Sequence, residues 1–225
     1  MKVIVISMDT GKGKERRALL NYDYTWLEGC IGSIEQDPYV AEAKEKLYRR
    51  PNTLQRTYDG QAGCFASHIK ALESIVKEGI GAVICEDDAV QTHALPEKMP
   101  TEICLLSGSL EHPKIWAKTA EWKKQKSFEI VEGFQDGVNA IDYDEFRWTI
   151  TCAYWVPSSE KARELLDKLR DLKIWRAYDI TLSKHRLINH LLFPAIYKHQ
   201  DKVGSQIQQG RHPGVVINYR KQPKQ

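Results

Sequence analysis

One stretch limits the fold more than any other: an amphipathic helix, a glycine, an apolar strand and three acids in a row. From Ala62 to Lys77, the residues Phe65, Ile69, Leu72, Ile75 and Val76 fall on one helical stripe. Gly79 stops the helix, and Ile80-Gly81-Ala82-Val83-Ile84-Cys85 reads as a central strand. Glu86-Asp87-Asp88 follows at once. Helix, glycine and strand joined this closely are α/β grammar. Val3 to Met8 reads as a second buried strand, with a helix expected over Glu15 to Leu20. The expected class is α/β, with a central, mostly parallel or mixed sheet flanked by helices.

Further helices are predicted over Asp37 to Tyr48 and from Ser158 to about Arg170, with Tyr58-Asp59-Gly60 as a turn. Strands are predicted at Ile103 to Leu106 and Phe146 to Val156, and a turn and edge strand at Leu191 to Tyr197. Residues 111–137 are the least readable, and are expected to pass over the active-site face. No internal repeat or linker is visible, so residues 1–225 are read as one domain. Residues 200–225 are a tail that either covers the site or stays flexible. No apolar run is long enough to span a membrane, and Met1 to Ser7 is too short for a signal peptide. Five scattered cysteines without a CxxC pair suggest free thiols in a reducing compartment, here the cytoplasm. The net charge of +3 owes much to Arg211, Arg220, Lys221 and Lys224. A solvated basic end explains them, with nucleic-acid binding as the alternative.

Three carboxylates would repel one another in a dry interior. At a solvent-facing strand end a divalent cation offsets that repulsion, and hard oxygen ligands suit magnesium or manganese. Strand residues i and i+2 share a side, so Glu86 and Asp88 are expected to face the pocket together. Asp87 is expected to turn toward a structural partner. The plainer alternative is an exposed acidic turn. Asp179 is a candidate base, because Ile174, Trp175 and Ile180 are expected to enclose it and raise its pKa. A helix-cap or ion-pair role is equally compatible. His68 can meet the acid loop or a phosphate, or serve the core alone; its neighbour Ser67 does not make a nucleophilic pair with it. His199 is either a surface histidine or a metal ligand from a separate loop. Lys198, Lys202 and Arg211 can meet phosphate, and Trp116, Trp122 and Trp175 can form a sugar platform, though ordinary solvation and core packing explain them too. Gly-x-Ser-x-Gly and His-Glu-x-x-His are absent.

Taken together, several segments resemble the family 25 glycosyltransferases, which include lipopolysaccharide-type transferases and relatives of collagen galactosyltransferase. Val5-Ile6-Ser7-Met8-Asp9 with Arg16-Arg17 is similar to the family's first strand and arginine-rich turn, with Ser7 in place of asparagine. Gly60-Gln61-Ala62-Gly63-Cys64-Phe65-Ala66-Ser67-His68 matches its Gly-Glu-x-Gly-Cys-x-x-Ser-His element, with Gln61 replacing glutamate. Cys85-Glu86-Asp87-Asp88 matches Leu-Glu-Asp-Asp. Tyr154 to Leu166 and Asp179 to Leu182 resemble two downstream elements.

The resemblance implies a GT-A-like, Rossmann-related nucleotide-binding fold. It also implies a nucleotide-sugar donor, a UDP-sugar first among them, and an inverting transfer to a hydroxyl of a glycan or glycoconjugate. Mn2+ or Mg2+ would be held at Glu86 and Asp88; His199, from its own loop, is the further metal-ligand candidate that the residues themselves offer. Ser7, Asp9, Arg16, Ser67, His68 and Glu86 would belong near the donor, with Asp88 and Asp179 catalytic. Two other readings stay open: a metal-dependent nuclease or phosphotransferase acting on nucleic acid, and a non-catalytic binding module. A modified nucleic acid is also a conceivable acceptor.

Overall fold

A computed structural model describes residues 1–49, 51, 53–111, 134–144, 147–149 and 152–199. In chain order the elements are β1 (Lys2–Ser7), α1 (Gly11–Arg17), β2 (Thr25–Glu28), α2 (Pro38–Lys46), α3 (Gln55–Glu78), β3 (Ala82–Glu86) and β4 (Ala89–Gln91). Then come β5 (Cys104–Leu105), β6 (Ser109–Glu111), β7 (Gly137–Ala140), β8 (Arg147–Thr149) and β9 (Ala153–Val156). The chain continues with α4 (Ser159–Asp171), α5 (Tyr178–Lys184), β10 (His190–Phe193) and β11 (Tyr197–His199).

Seven strands form the central sheet in the order β2-β1-β3-β9-β5-β10-β7. The β1–β2, β1–β3 and β5–β10 pairs are parallel, while β9 runs antiparallel to both β3 and β5, and β7 to β10. The sheet is therefore mixed rather than mostly parallel. The continuous apolar runs in β1, β3 and β9 follow from burial on both faces. Ile4, Ile84, Tyr154 and Val156 point into a core shared with Val40, Phe65, Leu165 and Leu182 of α2, α3, α4 and α5. Val3, Val5, Val83, Cys85 and Trp155 point the other way, toward Leu20, Tyr22, Ala89, Ile196 and Tyr197. That second face is covered in part by the two-stranded β4–β11 ribbon.

Several boundaries differ from the sequence expectation, each for a local reason. α1 begins at Gly11 because the Thr10 hydroxyl accepts from Gly13 N at 3.1 Å and caps it. Asp37 caps α2 in the same way, through Tyr39 N and Val40 N, with Pro38 in the first turn. The turn expected at Tyr58-Asp59-Gly60 does not exist: α3 starts at Gln55 and absorbs it. At its far end Gly79 takes φ +73°, a left-handed C-cap that glycine adopts without steric cost. The single strand expected over Phe146 to Val156 is two strands, β8 and β9, in different sheets. β10 is not an edge strand but lies between β5 and β7. The expected excursion with Trp116 and Trp122, and the tail beyond His199 with Lys202 and Arg211, lie outside the described residues.

Register places the site. β1 and β3 are parallel, with Ile6 opposite Glu86, so both strands end at the same edge of the sheet. The β1–α1 loop and the acid loop therefore leave the sheet side by side, the usual place for a ligand in an open α/β sheet.

Candidate functional site

A cavity of about 280 Å³ opens at that edge, lined by Ser7, Arg16, Cys64, His68 and the three acids, together with residues 29–33. Asp87 is the buried member of the triplet. It accepts from Ser7 Oγ at 2.7 Å and from Arg16 Nη1 at 2.6 Å, and Arg16 is itself 4% exposed. Burial outweighs both bonds and raises the Asp87 pKa above its ordinary value. Arg16 also reaches Asp88 Oδ2 at 3.9 Å. Arg17 donates to Ser7 Oγ and Met8 O and lies over the Trp26 ring, which fixes the strand end from outside.

Glu86 faces a different environment. Its Oε1 is 3.4 Å from His68 Nε2 and 4.0 Å from Cys64 Sγ. Cys64 and His68 stand four residues apart on α3 and so share a face. His68 is held on both sides. Its Nδ1 lies 3.2 Å from the Tyr154 hydroxyl, and its ring stacks on Tyr178 at 4.0 Å with parallel planes. The Tyr154 and Tyr178 hydroxyls are 2.8 Å apart. Burial, then the charges of Glu86, Asp179 and Asp88, push the Cys64 thiol far above its ordinary pKa. The donor atoms of Cys64, His68 and Glu86 lie within 4.8 Å of one another, a group able to hold a metal ion.

The expected trio of Glu86, Asp88 and His199 is not gathered in this way. Among the described residues, Cys64, His68 and Glu86 are the one set of three such side chains within mutual reach. Glu86 and Asp88 do both line the cavity while Asp87 turns to Ser7 and Arg16, as expected, but the turn after β3 rather than strand alternation places them, since β3 ends at Glu86. His199 does lie against Asp88, Nδ1 to Oδ1 at 3.3 Å, so it is no plain surface histidine. Burial opposes its charged form, but the Asp88 carboxylate prevails and holds its pKa well above the ordinary value.

Ser67 serves the backbone, accepting from Cys30 N at 2.8 Å and donating to Gly63 O at 2.6 Å. Asp9 stays outside the cavity, exposed and ion-paired with Lys14 and Arg17. Asp179 sits in the first turn of α5 and accepts from Ile180 N at 2.7 Å. Its expected apolar enclosure is not built, because Ile174 and Ile180 are themselves exposed. Trp175 is no sugar platform either: it is fully buried and stacked on Phe65 at 4.0 Å. Cys64, Tyr154 and Tyr178 were not expected at the site. The i, i+4 spacing of Cys64 and His68 was the available signal.

Residues 1–182 match the family described as "Glycosyltransferase family 25 (LPS biosynthesis protein)". The chain belongs to glycosyltransferase family 25. No curated protein matches it. The family match covers the acid loop, α1, α3 and the start of α5, whereas β10, β11 and His199 lie beyond it. Family membership and the Cys64–His68–Glu86 group together support a metal-dependent transferase of the glycosyltransferase kind.

Proposed function

We propose that this family 25 member transfers a sugar from a nucleotide-sugar donor, a UDP-sugar first, to a hydroxyl of a glycan or glycoconjugate, with inversion. The reading takes the mixed sheet as a GT-A-like, Rossmann-related fold with the donor at the shared ends of β1 and β3. One observation carries it: the acid loop is locked from below by Arg16 and Ser7, yet Glu86 and Asp88 remain beside the cavity. Pairing Asp87 with a buried guanidinium lets three adjacent acids stand at a strand end.

The residues fit a divalent cation. Asp88 Oδ1 is buried with His199 Nδ1 3.3 Å away, and a carboxylate oxygen engaged on one side keeps a second lone pair to offer. Glu86, His68 and Cys64 supply oxygen, nitrogen and sulfur on the α3 side, a mixture that favours Mn2+ over Mg2+. When bound, the cation would neutralise charge on the diphosphate leaving group. Arg16 and the Asp87 bonds hold the loop at one geometry during transfer. The Tyr154 hydroxyl and the Tyr178 ring fix the orientation of His68. Asp179, on the Cys64 side, is the proposed base for the acceptor hydroxyl. Four buried, unbridged cysteines support a cytoplasmic setting.

The test is a panel of UDP-, GDP-, TDP- and CMP-sugars with Mn2+, read as donor hydrolysis and transfer. The expected result is turnover of a UDP-sugar that Asp88→Ala abolishes while folding is retained. No donor binding across the panel sinks the proposal. Donor binding without turnover on any acceptor moves the chain to the non-catalytic reading. The family match weighs against the nuclease alternative.

A further inference from the structure

A second hollow, of about 450 Å³, lies between the end of α2, the end of α4 and both ends of α5. Its lining includes Tyr48, Lys173, Ile174, Arg176, Lys184 and His185, and among the described residues no aspartate or glutamate lines it. None of Lys173, Arg176 and Lys184 makes an ion pair among the described residues. Three cations thus share one concave surface whose described lining holds no carboxylate. Such an arrangement costs self-repulsion that a bound anion would relieve. The field shows in His185, which burial and then the charges of Lys184 and Arg176 push below its ordinary pKa.

The walls are held by main chain rather than by the charged side chains. Tyr48 N donates to Trp175 O at 2.7 Å and Trp175 N to Lys46 O at 2.8 Å, which stitches the end of α2 to the segment before α5. Arg176 N donates to Thr181 Oγ1 at 2.8 Å, and His185 N to Thr181 O at 3.1 Å. The guanidinium of Arg176 lies 5.7 Å from the centroid of the Tyr48 ring. Tyr48 and Ile174 are 46% and 56% exposed, so an aromatic and an aliphatic surface stand open beside the cations.

We infer that this hollow is a second binding site, separate from the acid cavity, for the phosphate monoester of an organic ligand. Lys173, Arg176 and Lys184 take the phosphoryl oxygens, Arg with its fork and the lysines as point charges. Tyr48 and Ile174 take the apolar or planar part that carries the phosphate. The inference does not rest on the donor or metal assignment. Next to the hollow's residues in sequence, Trp175 stacks on Phe65 of α3, and Tyr178, two residues after Arg176, stacks on His68.

The experiment uses the full 225-residue chain and two probes, inorganic phosphate and phenyl phosphate, at constant ionic strength with chloride as the control. Binding is read by calorimetry and by backbone amide shifts. The expected result is shifts clustered at residues 173–176 and 184–185, with phenyl phosphate bound at least about threefold tighter than phosphate through the ring contact. A K173Q/R176Q/K184Q variant is expected to bind phenyl phosphate about tenfold more weakly or worse, with its circular dichroism unchanged. Equal affinity for the two probes overturns the assignment to an organic phosphate. Shifts confined to the Arg16 side, or undiminished binding by the triple variant, overturn the site. If the triple variant does not fold, K173Q and K184Q alter exposed side chains one at a time. Each is expected to weaken binding by about threefold, and unchanged affinity in both overturns the site.

Discussion

Glu86 and Asp87 are neighbours in sequence and opposites in environment. Asp87 points into the β1–α1 side, where Ser7 and Arg16 answer both of its oxygens at 2.7 and 2.6 Å. Glu86 points toward α3, where it meets a half-buried thiol and an imidazole at 4.0 and 3.4 Å. The first contacts are short and ionic, so they set where the loop is. The second are long and unsaturated, so they leave ligating capacity. The difference teaches that an acidic run at a strand end divides its labour: one carboxylate is used up in holding the others in place.

The strongest way to break that division is Arg16→Met. It would leave the Asp87 carboxylate buried without its cation, and losing one partner of a buried pair costs about 3–5 kcal/mol. Urea unfolding measures it, and adding Asp87→Asn to the same chain should recover part of the loss. A cost under about 1 kcal/mol would mean that Arg16 does not lock the loop. Next in size is Glu86→Gln. It should lower kcat about 100-fold, which corresponds to about 2.7 kcal/mol, with little change in stability. Mn2+ binding, followed by the spectrum of the free ion, should weaken in the same variant and in Cys64→Ser. If Cys64→Ser binds Mn2+ as well as wild type while Asp88→Asn does not, the ion belongs to Asp88 rather than to the α3 group.

The acid loop was legible because strand, glycine and acids are local features, and because Ser67-His68 and the triplet both lie in the stretch that matches the family. The central strands were legible for the same reason: apolar residues in succession need two covered faces. What the sequence hid is what depends on distance along the chain. The pairing of Asp87 with Arg16 joins residues 71 apart, and that of His68 with Tyr154 joins residues 86 apart. Nothing in local periodicity ranks those partners over others. The Phe146 to Val156 segment misled because its composition suits a strand throughout, while the sheet takes only the last part of it. The enclosure expected around Asp179 misled in a related way, since Ile174 and Ile180 face solvent and Trp175 turns into the core against Phe65.

A smaller effect separates charge from shape at the same cavity. The α3 wall and residues 29–33 meet through backbone. A Cβ on Gly63 would stand 2.6 Å from Cys30 O and 2.8 Å from Gly32 N, and neither is a flexible side-chain end. Gly63→Ala should therefore cost about 1–3 kcal/mol by overpacking. It should also weaken donor binding, with every charge of the site intact. Gly11→Ala is the control, because nothing lies within 4 Å of its Cβ position, and it should stay within about 0.5 kcal/mol of wild type. Equal effects in the two variants would mean that the contact of α3 with this wall is not tight.

The smallest expected effect tests the same contrast through pH, using a pair at the surface. Arg170 grips Glu42 and Glu73, the latter at 2.7 Å, and the Tyr39 hydroxyl donates to Glu73 at 2.8 Å. Burial works to raise the Glu73 pKa, but Arg170 and Tyr39 outweigh it and hold it below the ordinary 4.5. The folded state therefore binds this proton more weakly than the unfolded chain does. Its stabilisation is complete above the ordinary carboxylate range and is lost as pH falls through the lowered value. Both side chains are about a third exposed, so solvent screens the pair and the effect stays under about 1 kcal/mol. Asp87 has the opposite sign. Its pKa is raised, so the folded state favours its proton, and stability is given up as pH rises past the ordinary 3.8. Unfolding wild type, Glu73→Gln and Asp87→Asn at pH 3 and pH 7 separates the two. Moving from pH 3 to pH 7 should favour wild type over Glu73→Gln and Asp87→Asn over wild type. If both variants shift in the same direction, burial does not dominate at Asp87, and Arg16 holds it as a surface pair would.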